Sequence, residues 1–207
     1  MTATAPATGE GAALPEPWRL PFELAWEALR AGSRPIGAVL LDQDGRIAAT
    51  GRNRSQETAG PPGQLVGTAI AHAEINALAR LRAGRRYTGH RLYTTLEPCL
   101  LCSSALIHAH VPLVVYAAAD DLWRGVEHVP RVGGTIAARW ARREGPLDGP
   151  LRPLARFSEL LMAVWAVRHP APDGVPDEPA ARDARRLLDA GLLDAPNVQA
   201  AYGLVSP

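Results

Sequence analysis

Residues 91–118 read RLYTTLEPCLLCSSALIHAHVPLVVYAA, and this stretch joins two strand-like runs through one helix-like run. We predict a strand over Arg91–Thr95, a helix that begins at the two cysteines and runs to about Ala109, and a second strand over Leu113–Ala118. Strands joined through a helix are typical of parallel pairing, because parallel strands need a long crossover connection. The stretch therefore predicts an α/β fold.

Upstream, the chain predicts a helix, a hairpin and another helix. Apolar residues at helical spacing lead up to Gly32 and indicate the first helix: Trp18, Phe22, Ala25, Trp26 and Leu29. A buried strand over Ile36–Leu41 and its partner over Arg46–Gly51 form the hairpin. His72 opens the next helix, which Gly84 ends. We therefore expect a mixed sheet, with an initial hairpin followed by parallel strands.

The pattern is weaker beyond residue 118. Residues 136–143 and 154–167 predict two helices, the second strongly amphipathic, and Gly145–Pro150 separates them. A fifth strand is expected near Leu151–Leu154, and a further helix from about Ala180 to Ala190. The α/β unit is therefore expected to carry extra C-terminal helices.

Composition predicts three regions in one compact chain. Residues 1–16 lack apolar periodicity and are expected to form a disordered tail. Residues 17–168 are expected to form the main domain, and residues 169–207 a helical extension packed on that same domain. A length of 207 residues with 47% hydrophobic residues is sufficient for one domain with its own core.

Charge and hydropathy exclude several protein classes. The chain has 22 basic and 21 acidic residues, a net charge of +1, and every basic residue is arginine. Neither a secretory leader nor a long apolar run is found, so secretion and membrane spanning are not expected. Both cysteines lie in one motif, which leaves no disulfide framework and fits a reducing cytoplasm.

The two cysteines and one upstream histidine have the spacing of metal ligands. Cys99 and Cys102 lie three residues apart at the start of a helix, so both sulfur atoms share one face near a helix N-terminus that favours thiolates. His72 also opens a helix, so two helix N-termini can converge on one ion. One imidazole and two thiolates leave a fourth zinc position open for water, which is typical of a catalytic zinc site.

Two questions about this motif are the role of Glu74 and whether the cysteines bind metal or form a redox pair. Glu74 follows His72 by two residues, about 200° around a helix, so we expect it to approach the reacting atoms from another direction and to transfer protons. A C-x-x-C pair can instead be a redox centre. The upstream His-x-Glu favours the metal interpretation, because thioredoxin-like motifs do not need it.

Five segments together resemble the cytidine deaminase-like superfamily, and within it the branch of tRNA adenosine deaminases and guanine deaminases. The resemblance spans about residues 20–125, and its order and spacing are specific. The segments are Pro35–Leu40, Gly51–Asn53, Ala71–Leu78, Thr95–Cys102 and Ala105–Ala118.

The resemblance implies a fold, a cofactor and a set of roles. The fold is a three-layer α/β/α sandwich, usually homodimeric with active sites near the subunit interface, and residues 17–168 would be its zinc deaminase domain. The cofactor is Zn²⁺, bound by His72, Cys99 and Cys102, while Glu74 shuttles protons. Asn53 would hydrogen-bond the base, and backbone groups near Ala73 and Cys99 would help to hold the ring.

Asp120 and Trp123 follow the strand Leu113–Ala118, at the end where ligands bind in open α/β sheets. Asp120 either caps the following turn or recognises an exocyclic amine. Trp123 either walls the pocket or packs without a binding role. His108 and His110 are expected to be structural. We treat Asp120 and Trp123 as candidate substrate-binding residues.

The reaction implied by the resemblance is hydrolytic deamination of a small nucleobase, nucleoside or related aminated heterocycle, with purine favoured. Two observations make nucleic acid an unexpected partner: the balanced charge, and the proline-containing loop Gly60–Ala71 in place of that branch's short lead. Two alternatives stay open: a tRNA adenosine (A-to-I) deaminase, and a non-catalytic zinc-stabilised binding module. An intact Glu74 argues against the second.

Overall fold

The computed structural model describes residues 13–170 and 177–205. Its strands are β1 (Gly37–Leu41), β2 (Ile47–Arg52), β3 (Arg91–Leu96), β4 (Leu113–Ala118) and β5 (Arg142–Glu144). Its α-helices are α1 (Arg19–Arg30), α2 (Ala73–Leu78), α3 (Leu100–Ala109), α4 (Gly134–Arg139), α5 (Arg152–Arg168), α6 (Glu178–Asp189) and α7 (Val198–Gly203).

The five strands form one mixed sheet in the order β2-β1-β3-β4-β5. Strand β1 is antiparallel to both β2 and β3, whereas β3, β4 and β5 run parallel to one another. The expected arrangement of a hairpin followed by parallel strands is confirmed.

Helices cover both faces of the sheet and enclose two apolar cores. Alternate residues of a strand point to opposite faces. Tyr93 and Val115 accordingly pack with the core of α1 and α5, whereas Leu92 and Val114 belong to the core beneath α2 and α3. The result is the expected three-layer α/β/α sandwich.

The fifth strand lies elsewhere than predicted. Residues 151–154 form the start of α5, and β5 is the three-residue strand Arg142–Glu144, paired with β4. The predicted helix over 136–143 is therefore shorter, because α4 ends at Arg139. Charged residues fill β5, so no apolar alternation marks it as a strand. Helix α2 likewise ends at Leu78, before Gly84.

The C-terminal helices pack into the same core as α1 and α5. Helix α6 contacts α5, and Ala184, Leu192 and Tyr202 belong to the apolar cluster that contains Phe22 and Phe157. The helix expected from about Ala180 is present as α6, whereas α7 was not predicted. The division at residues 168 and 169 remains a prediction.

Residues 13–16, predicted as part of the tail, lie within the described structure, whereas residues 1–12 lie outside the described residues. Leu14 is buried in the α1–α5 core, and its backbone N–H donates to Gln199 Oε1 at 2.8 Å. The disordered tail itself stays a prediction. Within the described residues, the helices lack the combination of length and apolar character needed to cross a bilayer.

Candidate metal centre and active site

Two helix N-termini meet at the carboxyl end of β3. His72 is the N-cap residue of α2 and Cys99 the N-cap residue of α3, both with extended backbone conformations. Helices α2 and α3 contact each other on one face of the sheet. The positive ends of both helix dipoles therefore favour negative charge at the same place.

The three candidate ligand atoms form a compact triangle. Cys99 Sγ lies 3.6 Å from Cys102 Sγ, and His72 Nδ1 lies 3.5 Å from Cys99 Sγ and 3.4 Å from Cys102 Sγ. Tetrahedral zinc, with Zn–S of about 2.3 Å and Zn–N of about 2.0–2.1 Å, requires sulfur–sulfur and sulfur–nitrogen distances of about 3.8 and 3.6 Å. The donor set therefore fits one zinc ion. In the part of the chain that the structure describes, His72, Cys99 and Cys102 are the cluster of ligand side chains placed to hold a metal ion.

The pKa values of the two thiols are shifted in opposite directions in the metal-free protein. The side-chain hydrogen bond between Cys99 and Cys102 lowers the pKa of Cys99 to about 4, against the effect of burial. The same contact, with burial, raises the pKa of Cys102 well above its ordinary range. The hydrogen bond to Cys99 raises the pKa of His72. Zinc is bound by thiolates, so metal binding must displace the thiol protons that remain.

Glu74 lies against this triangle in a buried position. Its Oε1 accepts a hydrogen bond from Thr94 Oγ1 at 3.1 Å, and its Oε2 lies 3.3 Å from Cys102 Sγ, which is the donor. Burial raises the pKa of the Glu74 carboxyl. A carboxyl group with a raised pKa beside an open metal position is suited to taking up and releasing a proton.

Asn53 lies at the end of β2 with one donor left over. It is buried, its backbone N–H donates to Ile36 O at 2.9 Å, and its Oδ1 accepts from Ser55 N and Oγ at 3.0 and 2.8 Å. Its Nδ2 has no hydrogen-bond partner among the described residues. Arg54 N donates to Ala71 O at 3.0 Å, which brings this segment beside the start of α2. A buried amide donor without a partner suggests a group that a ligand satisfies.

The structure separates the roles of the other predicted residues. Ala73 is fully buried at the start of α2. Asp120 Oδ1 accepts from Leu122 N at 3.1 Å and caps a short 3₁₀ turn, so the capping alternative is observed, and burial raises the Asp120 pKa. Trp123 is 38% exposed at the end of that turn. Substrate contacts of Asp120 and Trp123 remain predictions.

Sequence reasoning missed three side chains near the site. Arg143 of β5 forms an ion pair with Glu97, which immediately precedes Pro98. Arg34 is half-buried, and its guanidinium lies 4.8 Å from the centre of the Trp165 ring. Arg143 lies in a segment predicted to be helical, and the isolated Arg34 gave no sequence signal.

A separate cavity lies away from these residues. It has a volume of about 930 Å³ and lies between α1 and the start of α7, where Trp26, Arg30 and Asn197 are among its lining residues. None of the metal-site side chains lines it. The candidate metal ligands therefore lie at the α2–α3 junction and not in this cavity.

Comparison with known proteins identifies relatives of one part of the chain. Residues 18–118 match the family model described as cytidine and deoxycytidylate deaminase zinc-binding region. The chain is 37% identical over 105 residues to a tRNA-specific adenosine deaminase of Haemophilus influenzae, covering 49% of this chain and 56% of that protein. It is also 37% identical over 134 residues to a tRNA(Ile)-lysidine synthase of Deinococcus deserti, covering 58% of this chain and 24% of that protein.

A similar solved structure is a guanine deaminase from Bacillus subtilis, at 32% identity and a TM-score of 0.41, covering 51% of this chain and 66% of that one. The chain spans less than two thirds of the length of the two curated relatives above.

Proposed function

Because residues 18–118 belong to the cytidine and deoxycytidylate deaminase zinc-binding family, we propose that the chain is a zinc-dependent hydrolytic deaminase. It replaces the exocyclic amine of an aminated heterocycle with a carbonyl and releases ammonia. One observation carries this proposal: the His72–Cys99–Cys102 triangle has zinc-compatible distances, and the buried Glu74 carboxyl lies directly against it.

His72 Nδ1 and the two cysteine sulfurs are the proposed zinc ligands. Bound zinc lowers the pKa of water to near 7 and so supplies a nucleophile at neutral pH. Glu74 would accept one proton from the attacking water and deliver it to the ring nitrogen beside the attacked carbon, and would then carry the proton of the new hydroxyl group to the departing amine, so that both water protons are used and ammonia leaves. The hydrogen bond from Thr94 fixes one carboxyl oxygen and leaves the other for this transfer.

The remaining predicted residues are proposed to hold the substrate. The unpartnered Nδ2 of Asn53 donates to an acceptor on the ring, since its Oδ1 is already used by Ser55. Backbone groups near Ala73 support the ring, Asp120 recognises an amine, and Trp123 forms part of the rim. Within this set, Asn53 has the most direct support, because a buried donor without a partner costs stability unless a ligand satisfies it.

The proposed substrate is a small free base or nucleoside, with purine favoured by the family branch. The charge balance of 22 basic and 21 acidic residues supports a small molecule over RNA. A tRNA adenosine is the second candidate, because a curated relative at 37% identity is named a tRNA-specific adenosine deaminase. The buried Glu74 argues against a binding module that uses zinc only for stability.

Two further proposals concern the setting of the enzyme. A homodimer is supported by exposed apolar side chains at the start of α3, where Leu100 and Leu101 are 42% and 39% exposed. A reducing compartment such as the cytoplasm is supported by the need to keep both thiols available for metal.

The test combines metal content with ammonia release. Protein purified without chelators should hold about one zinc per chain, and Cys99→Ala or Cys102→Ala should lose it. Guanine, adenine, cytosine, their nucleosides and a tRNA anticodon stem-loop are then compared as substrates. We expect ammonia from at least one free base or nucleoside. A zinc-loaded protein that deaminates none of these compounds would overturn the proposal.

A further inference from the structure

We propose that Arg143 is a positioning residue for the metal-binding loop. Its guanidinium holds both ends of the segment Pro98–Ser103 and so keeps the sulfurs of Cys99 and Cys102 at ligand spacing before the metal arrives. The identity of the metal as zinc rests on the proposed function, whereas the contacts that hold the loop do not.

The guanidinium contacts the chain on either side of the two cysteines. Arg143 Nη2 donates to Glu97 Oε1 at 2.8 Å and to the carbonyl oxygen of Pro98 at 3.1 Å. Arg143 Nη1 donates to Ser103 Oγ at 3.1 Å. Pro98 immediately precedes Cys99 and Ser103 immediately follows Cys102. One rigid planar group therefore fixes the distance between the two ends of the ligand segment.

The ion pair between Arg143 and Glu97 is largely buried. The side chains of Arg143 and Glu97 are only 10% and 12% exposed. The guanidinium carbon also lies 5.5 Å from the centre of the Tyr116 ring and 5.9 Å from that of Trp140. Because this ion pair is desolvated, removing one of its members leaves a buried charge without compensation.

The same ion pair reaches the other loop of the candidate site. Glu97 Oε2 accepts from the backbone N–H of Asp120 at 3.2 Å, and Glu97 N donates to Ala118 O at 2.8 Å. The metal loop and the loop after β4 are thus connected through one carboxylate, whose charge Arg143 balances.

Arg143 lies outside the family region, which ends at residue 118. It belongs to β5, a three-residue strand that pairs with β4 at the edge of the sheet. Arg142, its neighbour on the same strand, is 72% exposed and pairs only with Glu144 among the described residues. The strand therefore provides a matched control: two adjacent arginines, of which one touches the metal loop.

The expected effect is on metal affinity. Outer-shell partners that orient metal ligands typically change metal affinity by 10- to 100-fold when removed. Arg143→Lys keeps the charge but loses the planar pair of donors. Arg143→Met leaves the buried Glu97 carboxylate without its ion-pair partner, so the double variant Arg143→Met/Glu97→Gln removes both charges together. Arg142→Met is the control.

The experiment measures zinc affinity by competition with a chromophoric chelator, and the thiolate absorption of the Co²⁺-substituted protein. We expect zinc affinity to fall about 10- to 100-fold in the double variant and by a smaller factor in Arg143→Lys. The Co²⁺ spectrum should change in both, while Arg142→Met matches the wild type. Thermal unfolding of the metal-free proteins distinguishes a loss of zinc affinity from a loss of fold. If the double variant is unfolded, the zinc affinity of Arg143→Lys is the test.

Zinc affinity and Co²⁺ spectra that stay at wild-type values in every folded Arg143 variant would overturn the inference. A wild-type protein that binds metal with this dependence on Arg143 but releases no ammonia would refute the proposed function alone. A wild-type protein that binds neither ion would refute both.

Discussion

The carboxyl group of Glu74 combines burial with contacts to uncharged partners. It accepts from the Thr94 hydroxyl and from the Cys102 thiol. Burial therefore raises its pKa above the ordinary value of 4.5. An acid whose pKa is raised in the folded state does not lower the free energy of unfolding at pH values below its unfolded-state pKa. As pH rises above the unfolded-state pKa, the free energy of unfolding falls. The fold thus accepts a less stable arrangement at the position for which proton transfer is proposed.

Replacing this carboxyl with an amide separates chemistry from structure. Glu74→Gln should lower turnover by about 10² or more, because general acid–base catalysis contributes on that scale. Zinc content should persist, and in metal-free protein the melting temperature at pH 7 should equal or exceed that of the wild type, since the raised pKa no longer costs stability. Near-normal turnover in this variant would contradict the proton-transfer role.

Asn53 allows a similar separation of donor and acceptor. Asn53→Asp keeps an oxygen for the two Ser55 contacts but removes the unpartnered Nδ2 donor. If that donor binds the substrate, KM should rise roughly ten- to a hundredfold while zinc content stays unchanged. Ser55→Ala is the matched control, because it removes only the hydroxyl contact to Oδ1. Equal KM values in Asn53→Asp and wild type would refute the base-binding role.

Among the secondary-structure elements, β2 and α2 approach each other closely at Gly51. A methyl group there would overlap the carbonyl oxygen of Ala73 and the amide nitrogen of Ala77. The start of α2, which carries His72 and Glu74, therefore takes its position directly from the backbone of β2.

Gly51→Ala should consequently displace α2. We expect a loss of about 1–3 kcal/mol in the free energy of unfolding, as for other overpacked sites, together with weaker zinc binding. Gly203→Ala in α7 is the control, because a methyl group there meets no atom within 4 Å. Chemical denaturation measures both. Wild-type stability and zinc affinity in Gly51→Ala would show that the contact does not position the helix.

The elements also show what sequence patterns can predict. His72 and Cys99 were expected at helix starts, because each precedes a run of residues at helical spacing, and both are N-cap residues. Strand β5 was not expected there, because Arg142, Arg143 and Glu144 have no apolar alternation and the strand forms only by pairing with β4. The contact between Arg143 and Glu97 joins residues 46 positions apart, which local periodicity does not encode.

At the scale of the whole molecule, one apolar cluster joins the beginning and the end of the described chain. Phe157 of α5 is fully buried and lies 5.3 Å from Phe22 of α1 and 5.2 Å from Tyr202 of α7, between ring centres. The amphipathic pattern of α5 predicted its burial but not these partners, since residues of similar hydropathy occur throughout the chain.

Charge over the whole molecule bears on the choice of substrate. Proteins that bind tRNA through phosphate contacts release counterions, so their binding falls steeply with salt. This chain has 22 basic and 21 acidic residues and therefore almost no net positive charge to attract phosphate. We expect no salt-dependent binding of tRNA at micromolar protein. A filter-binding titration at two salt concentrations measures this. Tight, salt-sensitive tRNA binding together with inosine formation in an anticodon loop would favour the tRNA adenosine alternative.

The fluorescent side chain of Trp165, in α5, contacts the segment that carries Arg34 near the site. Its indole N–H donates to Gly32 O at 2.9 Å, and its ring carries the Arg34 guanidinium at 4.8 Å. The carbonyl oxygen of Arg34 accepts from Ile36 N at 2.7 Å, and Ile36 O accepts from Asn53 N at 2.9 Å, so a ligand held by Asn53 acts on the segment that carries this stacked pair. Indole emission should therefore report ligand binding without any added dye. Five tryptophans contribute to that emission, and Trp165→Phe identifies the fraction that responds.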